Sequence, residues 1–248
     1  MFENRLAAGE RLGEALTTGA IDEGRAVGID VVLAIPRGAL PVARPVADAL
    51  GVNLDVVVAS KIGAPENPEL ALGAAAADGT VWLNDELIEG LDVDAEYLDR
   101  ERDREATAAA EKRARYRSEP GEVETPTSNA NTDPNSGAEP DLEGASVLVV
   151  DDGLATGATA VACLRQVRAA GAAWVGFAAP VGSRNAVARV EREADEVICL
   201  DVPERFGAVG QFYRSFGQVP DEEALQYLDR GSDSNTDPDS GANAGPRS

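Results

Sequence analysis

Two adjacent acids, Asp151 and Asp152, end an apolar run and open onto a short loop bearing Gly153, Thr156, Gly157 and Thr159. The whole stretch, VLVVDDGLATGAT from Val147 to Thr159, reads as a buried strand, a carboxylate pair, a tight turn and the start of an alanine-rich helix. Backbone N–H groups at a helix mouth, helped by the Thr156 and Thr159 hydroxyls, can satisfy a phosphate. Gly157 lets the backbone come close to it. The two carboxylates suit a vicinal diol, directly or through Mg²⁺ and water, because that cation takes hard oxygen ligands. Hydrogen bonds to charged groups contribute about 1.5–3 kcal/mol each, so a diol held by both acids is firmly anchored. Adjacent acids alone would be no more than a solvated strand end and an ordinary helix cap. Strand, diacid, TG turn and helix in unbroken succession point instead to one ligand carrying both a sugar diol and a phosphate. No Gly-Lys-Ser/Thr follows, which excludes a Walker loop.

Other residues could join this site. Arg37 and Gly38, in IPRGALP, follow a predicted strand in a turn where a cation and exposed N–H groups could hold a diphosphate. Lys61 ends a second predicted strand and is either a point contact to phosphate oxygen or a surface residue. Phe206, Phe212, Tyr213 and Phe216 crowd one short loop-rich stretch. They form either a cap that stacks on a flat base or a satellite core, since aromatic faces serve both. Arg184, Arg205 and Arg214 could raise local positive potential, though most Arg here face abundant acids.

The elements that must position these residues follow from apolar periodicity. Phe2, Leu6, Gly9, Leu12 and Leu16 predict an amphipathic helix over residues 2–16. Val31–Ile35 predicts a buried strand, followed by a helix to Leu50 that Gly51 stops, with Pro45 near its start. Leu54–Ser60 predicts another strand. ALGAAAA and TVWLN flank Asp78-Gly79, a strong hairpin signal. Asp94 caps a highly charged helix to Arg117, whose Glu–Arg spacing suggests a solvated arm. After Ser146 come strand, motif loop and helix to Ala170, then strand Trp174–Ala179, helix Asn185–Glu193 and strand Val197–Leu200. Residues 118–140 and 231–248 turn to Ser, Asn, Thr, Pro and Gly, a composition that cannot bury a core, so both are expected to be disordered. The ordered part, residues 1–230 around that insertion, is expected to be one domain.

Alternating strands and helices imply α/β architecture: a doubly wound, mainly parallel sheet with helices on both faces and right-handed crossovers. Ligands of such sheets lie at the carboxyl ends of the strands. Arg37, Lys61 and the diacid all fall at predicted strand ends, so a shared site is expected there.

Composition excludes several classes. The net charge is −22, with 44 acids against 22 bases, and only Lys61 and Lys112 among those bases are Lys. Such a surface repels nucleic acid and anionic membrane. Acid-rich, Lys-poor composition fits a high-salt cytoplasm, where the screening length at 1 M is about 3 Å. There is no His, which removes Ser-His and Cys-His catalysis and most zinc sites. Cys163 and Cys199 read as buried thiols. No apolar run approaches the roughly 20 residues of a membrane span, and the N-terminus lacks a secretory pattern. A cytoplasmic location is the expectation.

The stretch from Val147 to Thr159 resembles the phosphoribosyl pyrophosphate (PRPP) motif of type I phosphoribosyltransferases. IPRGALPVA resembles the pyrophosphate loop of that family, while KIGAPENPELALGA and ERFGAVGQFYRSFGQVPDEE resemble a subgroup described only generally as phosphoribosyltransferases. The resemblance covers about residues 1–118 and 141–230. It implies a fold with a β-hairpin lid, spanning Lys61 through Asp78-Gly79, and a C-terminal hood. It implies transfer of the 5-phosphoribosyl group from PRPP to a nitrogenous base or amine, with release of pyrophosphate and Mg²⁺ as cofactor. By residue, it implies 5′-phosphate binding at Gly153, Leu154, Ala155, Thr156, Gly157, Ala158 and Thr159. Diol and metal binding fall to Asp151 and Asp152 and pyrophosphate binding to Arg37 and Gly38 (in a loop that often holds a cis peptide), with Asp151, Asp152, Arg37 and Lys61 as the catalytic candidates. Phe206, Phe212 and Tyr213 become base-binding candidates. Ala155 stands where 6-oxopurine enzymes carry an acid, and the lid lacks the His and repeated Lys of orotate enzymes, so neither acceptor follows. A homodimer is implied by analogy alone. A non-catalytic sensor of PRPP with the same fold is the alternative reading.

Overall fold

A computed structural model describes residues 1–18, 28–117 and 140–228. Strand β1 (Val31–Ala34) and, after its first residue, strand β6 (Ser146–Val150) are uninterrupted apolar runs because both of their faces are covered. They lie side by side in a five-stranded, all-parallel sheet with β2 (Asn53–Val56), β7 (Trp174–Val181) and β8 (Glu196–Asp201), ordered β2-β1-β6-β7-β8. From β1 the chain runs through helix α2 (Leu40–Leu50) outward to β2. From β6 it runs through α5 (Ala158–Ala169) to β7 and through α6 (Arg184–Val190) to β8, in the other direction. The winding therefore reverses between β1 and β6, and right-handed crossovers put α2 on one face and α5 and α6 on the other. Register sets Ala34 beside Val150, so the loops leaving β1 and β6 emerge level with each other. Ile35 N–H still reaches Val150 O at 3.0 Å.

Helix α1 (Arg5–Thr17) packs along α2 and meets β7. It begins later than the periodicity predicts. Asn4 caps it by accepting from Ala7 N–H at 2.9 Å, while Phe2 leaves the helix and pairs with the C-terminal segment through Phe2 N–H to Phe212 O at 2.7 Å. Burial of the Phe2 ring in an aromatic cluster outweighs its place on the helical stripe. Gly9 fits where α1 crosses α2, because a Cβ there would meet Val42 O at 2.3 Å. Pro45 lies inside α2, one turn in, rather than near its start; Pro41 already occupies the first turn, so the bond lost is the one to the Pro41 carbonyl. Gly51 ends α2 at φ 69°.

The expected strand over Leu54–Ser60 is two strands. The chain leaves the parallel sheet after β2 and starts β3 (Ala59–Ala64), which pairs with β4 (Asn67–Ala76) and β5 (Val81–Leu83) in a separate antiparallel sheet. The Asp78-Gly79 hairpin is present between β4 and β5. Both faces of this sheet are covered. Ala71, Ala74 and Trp82 belong to the main core with α5, whereas Ile62, Ala64, Leu72 and Ala75 pack with α3 (Asp85–Gly90) and α4 (Ala95–Arg117).

Asp94 caps α4, accepting from Glu96 N–H at 2.6 Å. The first half of α4 carries exposed ion pairs such as Arg100–Glu96. Its second half is not a solvated arm: Ala109 and Tyr116 are buried and Lys112 is half-buried, at helical spacing that turns one face toward the loop after β1. A 3₁₀ turn over Val209–Phe212 and helix α7 (Asp221–Leu228) complete the described chain. Cys163 is buried and Cys199 half-buried, both as thiols. Among the described residues no helix is long and apolar enough to cross a membrane. The expected disordered stretches, residues 118–140 but for 140 itself and 231–248, lie outside the described residues.

Candidate active site

Asp151 and Asp152 leave β6 at the reversal of winding, where ligands of doubly wound sheets lie. Asp152 donates its N–H to Asp151 Oδ1 at 2.8 Å. Its own carboxylate Oδ2 accepts from Arg5 Nε at 2.7 Å, and both side chains are largely buried. Arg5 is held in turn: its Nη1 donates to Gly217 O at 2.7 Å, and its guanidinium lies 3.8 Å from the Phe216 ring centroid. Gly38, arriving from β1, closes against the same carboxylate; a Cβ at 38 would stand 2.3 Å from Asp152 Oδ2. Beneath, Tyr213 donates its hydroxyl to Asp152 O at 2.6 Å. Burial and the neighbouring Asp152 charge push the Asp151 carboxyl well above the usual carboxylate range. Burial also raises Asp152, with Arg5 pulling the other way.

The turn after the diacid is held from behind. Leu154 is buried, donates its N–H to Val181 O at 2.8 Å and accepts from Ser183 N–H at 2.9 Å, which ties the loop to the end of β7. Its N–H is thus committed to a backbone acceptor within the fold, unlike those of Ala155, Thr156 and Gly157. Ser183 Oγ donates to Ala155 O at 2.8 Å, and Arg189 of α6 donates to Thr156 O. With those carbonyls engaged, the N–H groups of Ala155, Thr156 and Gly157 have no backbone acceptor among the described residues. They belong to the unpaired donors expected where a helix begins. Gly157 caps α5 at φ 78°, a left-handed conformation in which a side chain is strained. Thr156 Oγ1 accepts weakly from Ala158 N–H at 3.4 Å, and Thr159 sits half-buried in the first turn. Gly153 lies under the 3₁₀ turn, so close that a Cβ there would stand 2.3 Å from Val209 Cγ1.

Across from this turn, the Pro36–Arg37 peptide is cis. Arg37 Nη1 meets Asp221 Oδ1 of α7 at 3.1 Å, and the Tyr116 hydroxyl donates to the same oxygen at 3.2 Å. The Arg37 hydrogen bond holds Asp221 below the usual carboxylate range, while burial and the Asp221 charge push Tyr116 up to about 12. Lys112 Nζ donates to Pro36 O at 2.6 Å, and burial lowers its pKa.

The structure therefore brings Asp151, Asp152, Arg37, Gly38 and the 153–159 turn to one edge. Lys61 lies inside β3, opposite Ala74 in the antiparallel sheet, and not at the end of a central strand. The aromatic group serves as a satellite core. Tyr213, 5% exposed, packs between Phe2 and Phe216 at centroid distances of 5.4 and 4.9 Å. Phe206 and Phe212, both half-buried, stack on each other at 5.5 Å. Arg184 and Arg214 pair with Glu204 and Glu3. Arg5, Tyr116 and Asp221 escaped the reading of the sequence. Lys112 had a visible signal, as one of two Lys in an Arg-rich chain.

Among the described residues no three His, Cys, Asp or Glu cluster as a metal cage. The two carboxylates still fit a hard divalent cation that completes its shell with ligand oxygens and water, which is how Mg²⁺ is commonly held. Residues 6–215 match the family described as the phosphoribosyl transferase domain. The chain belongs to that family. A Mycobacterium tuberculosis protein bearing the name phosphoribosyl transferase is 40% identical over 230 residues, 93% of this chain and 47% of the relative. The chain thus spans about half the length of the curated relatives it matches. The crystal structure of TT1426 from Thermus thermophilus superposes with a TM-score of 0.69 at 37% identity, covering 92% of this chain and 97% of that one. Family membership accounts for the parallel central sheet and its flanking helices.

Proposed function

We propose that this phosphoribosyltransferase-family chain binds PRPP and transfers its 5-phosphoribosyl group to a nitrogenous base or amine, releasing pyrophosphate. One observation carries the reading. The carbonyls of the 155–156 turn are engaged by Ser183 and Arg189, while the N–H groups of Ala155, Thr156 and Gly157, just after two carboxylates at the sheet's reversal point, have no backbone acceptor among the described residues. The 5′-phosphate then sits on Ala155–Thr159, with Leu154 as an anchor and not a donor. Asp151 and Asp152 take the ribose diol. Gly38 and its neighbours present backbone to the pyrophosphate, with Arg37 as cation.

In the reaction the C1–oxygen bond to pyrophosphate breaks and a C1–nitrogen bond forms, the displaced N–H proton passing to solvent. Catalysis of this kind is chiefly positioning and stabilisation of leaving-group charge. Arg37 stabilises the departing oxygens once it exchanges Asp221 for pyrophosphate. Asp151 and Asp152 would hold the Mg²⁺, which when bound would supply further neutralisation of leaving-group charge. Arg5 keeps Asp152 fixed while this happens.

The test is a pyrophosphate-release screen over nucleobases and small amines, with PRPP and Mg²⁺ in concentrated KCl. Release with one acceptor class is expected. PRPP binding without release for any acceptor would instead favour a sensor of the donor, and failure to bind PRPP refutes the reading.

A further inference from the structure

We propose that Lys112 is a positioning residue for the leaving-group loop: by fixing the Pro36 carbonyl, it sets the backbone of Arg37 and Gly38 in the conformation that receives a diphosphate. The inference rests on the PRPP reading and deepens it.

Lys112 lies on α4, far along the chain from the loop, yet its Nζ stands 2.6 Å from Pro36 O. Pro36 is buried, and Lys112 is the one donor to its carbonyl among the described residues. A buried carbonyl without a donor is costly, so the loop's geometry depends on this contact. The same face of α4 makes a second contact. Four residues on, Tyr116 donates to Asp221 Oδ1, the atom that also receives Arg37. One helix face thus holds both the loop's backbone and the present partner of its cation.

The groups facing the ammonium complete the argument. Asp151 just after β6, Arg37 in the loop, Asp221 on α7 and Cys163 on α5 act on it electrostatically. In a chain whose cations are otherwise Arg, apart from Lys61, a compact ammonium stands here as a point donor to the Pro36 carbonyl.

The experiment compares wild type with Lys112→Met as full chains in concentrated KCl with Mg²⁺, by calorimetric titration of PRPP and of ribose 5-phosphate. Ribose 5-phosphate engages the 153–159 turn and diacid without the pyrophosphate loop. Lys112→Met is expected to weaken PRPP about tenfold or more while ribose 5-phosphate stays within about twofold. Equal loss of both ligands, or of neither, overturns the role of Lys112 alone. A wild type that binds neither ligand refutes the PRPP reading and this inference with it. Should the variant not fold, the wild type is acetylated at its amines and mapped by peptide mass spectrometry. Added pyrophosphate is expected to slow labelling of Lys112 about fivefold, and an unchanged rate overturns the proposal.

Discussion

Gly38→Ala tests whether the loop after β1 and the diacid after β6 form one unit. A Cβ at 38 would stand 2.3 Å from Asp152 Oδ2 and 3.0 Å from its Cγ, against ordinary contact at 3.4 Å or more. The carboxylate must therefore retreat by about 1 Å, a distance comparable to the spread separating hydrogen bonds from mere proximity. Arg5 cannot easily follow, because it is tied to Gly217 O at 2.7 Å and stacked on Phe216, and the new Cβ would also lie 3.5 Å from its Nε. The expected loss is the charge-assisted bond between Arg5 and Asp152, about 1.5–3 kcal/mol. At about 2–4 °C per kcal/mol for a domain of this size, Tm should fall by roughly 3–12 °C. The assay is thermal and denaturant unfolding of Gly38→Ala, Asp152→Ala and the double variant. If the clash is with the carboxylate, Gly38→Ala costs little once Asp152 is trimmed, giving a coupling of about 1 kcal/mol or more. Strictly additive losses would refute the reasoning, since the two loops would then not share that contact.

Other outcomes follow from the charges around the site. Asp221→Asn removes the anion now resting on exposed Arg37, an ion pair worth at most about 1 kcal/mol. PRPP affinity by titration should rise by up to about fivefold, and weaker binding would show that Asp221 assists the site. Asp151 has a folded-state pKa raised above its unfolded value by burial and by Asp152. Its contribution to stability is therefore complete below the ordinary carboxylate pKa of about 3.9 and is lost as pH rises through the folded value. In metal-free buffer Asp151→Asn should consequently melt higher than wild type at neutral pH, with the gap narrowing toward pH 4. A gap of the opposite sign, or one independent of pH, contradicts the assignment.

Much of the scaffold was legible before any coordinates, because it depends on near neighbours. Apolar runs announce β1, β6 and β7, Gly51 and Gly157 announce a helix end and a helix start, and Asp78-Gly79 announces its hairpin. The diacid and phosphate turn were legible for the same reason: strand, acids and helix mouth are contiguous. The break between β2 and β3 was not, since Leu54–Ser60 carries strand-like residues throughout and only the cover available on each side decides which sheet each half joins.

What the linear chain determined by itself is the local chemistry: which residues can cradle phosphate, which can grip a diol, and the periodicities that place them at strand ends. Only the tertiary structure decided their partners. Arg5 reaches Asp152 across 147 positions, Arg37 reaches Asp221 across 184 and Lys112 reaches Pro36 across 76. Tyr213 likewise became a buried support for Asp152, where its sequence neighbourhood allowed a base-stacking cap equally well. The physical reason is that side-chain type and spacing set what a residue is able to bond. Which of many acids or carbonyls it meets depends on how helices and sheets dock, and that is settled by burial summed over the whole core.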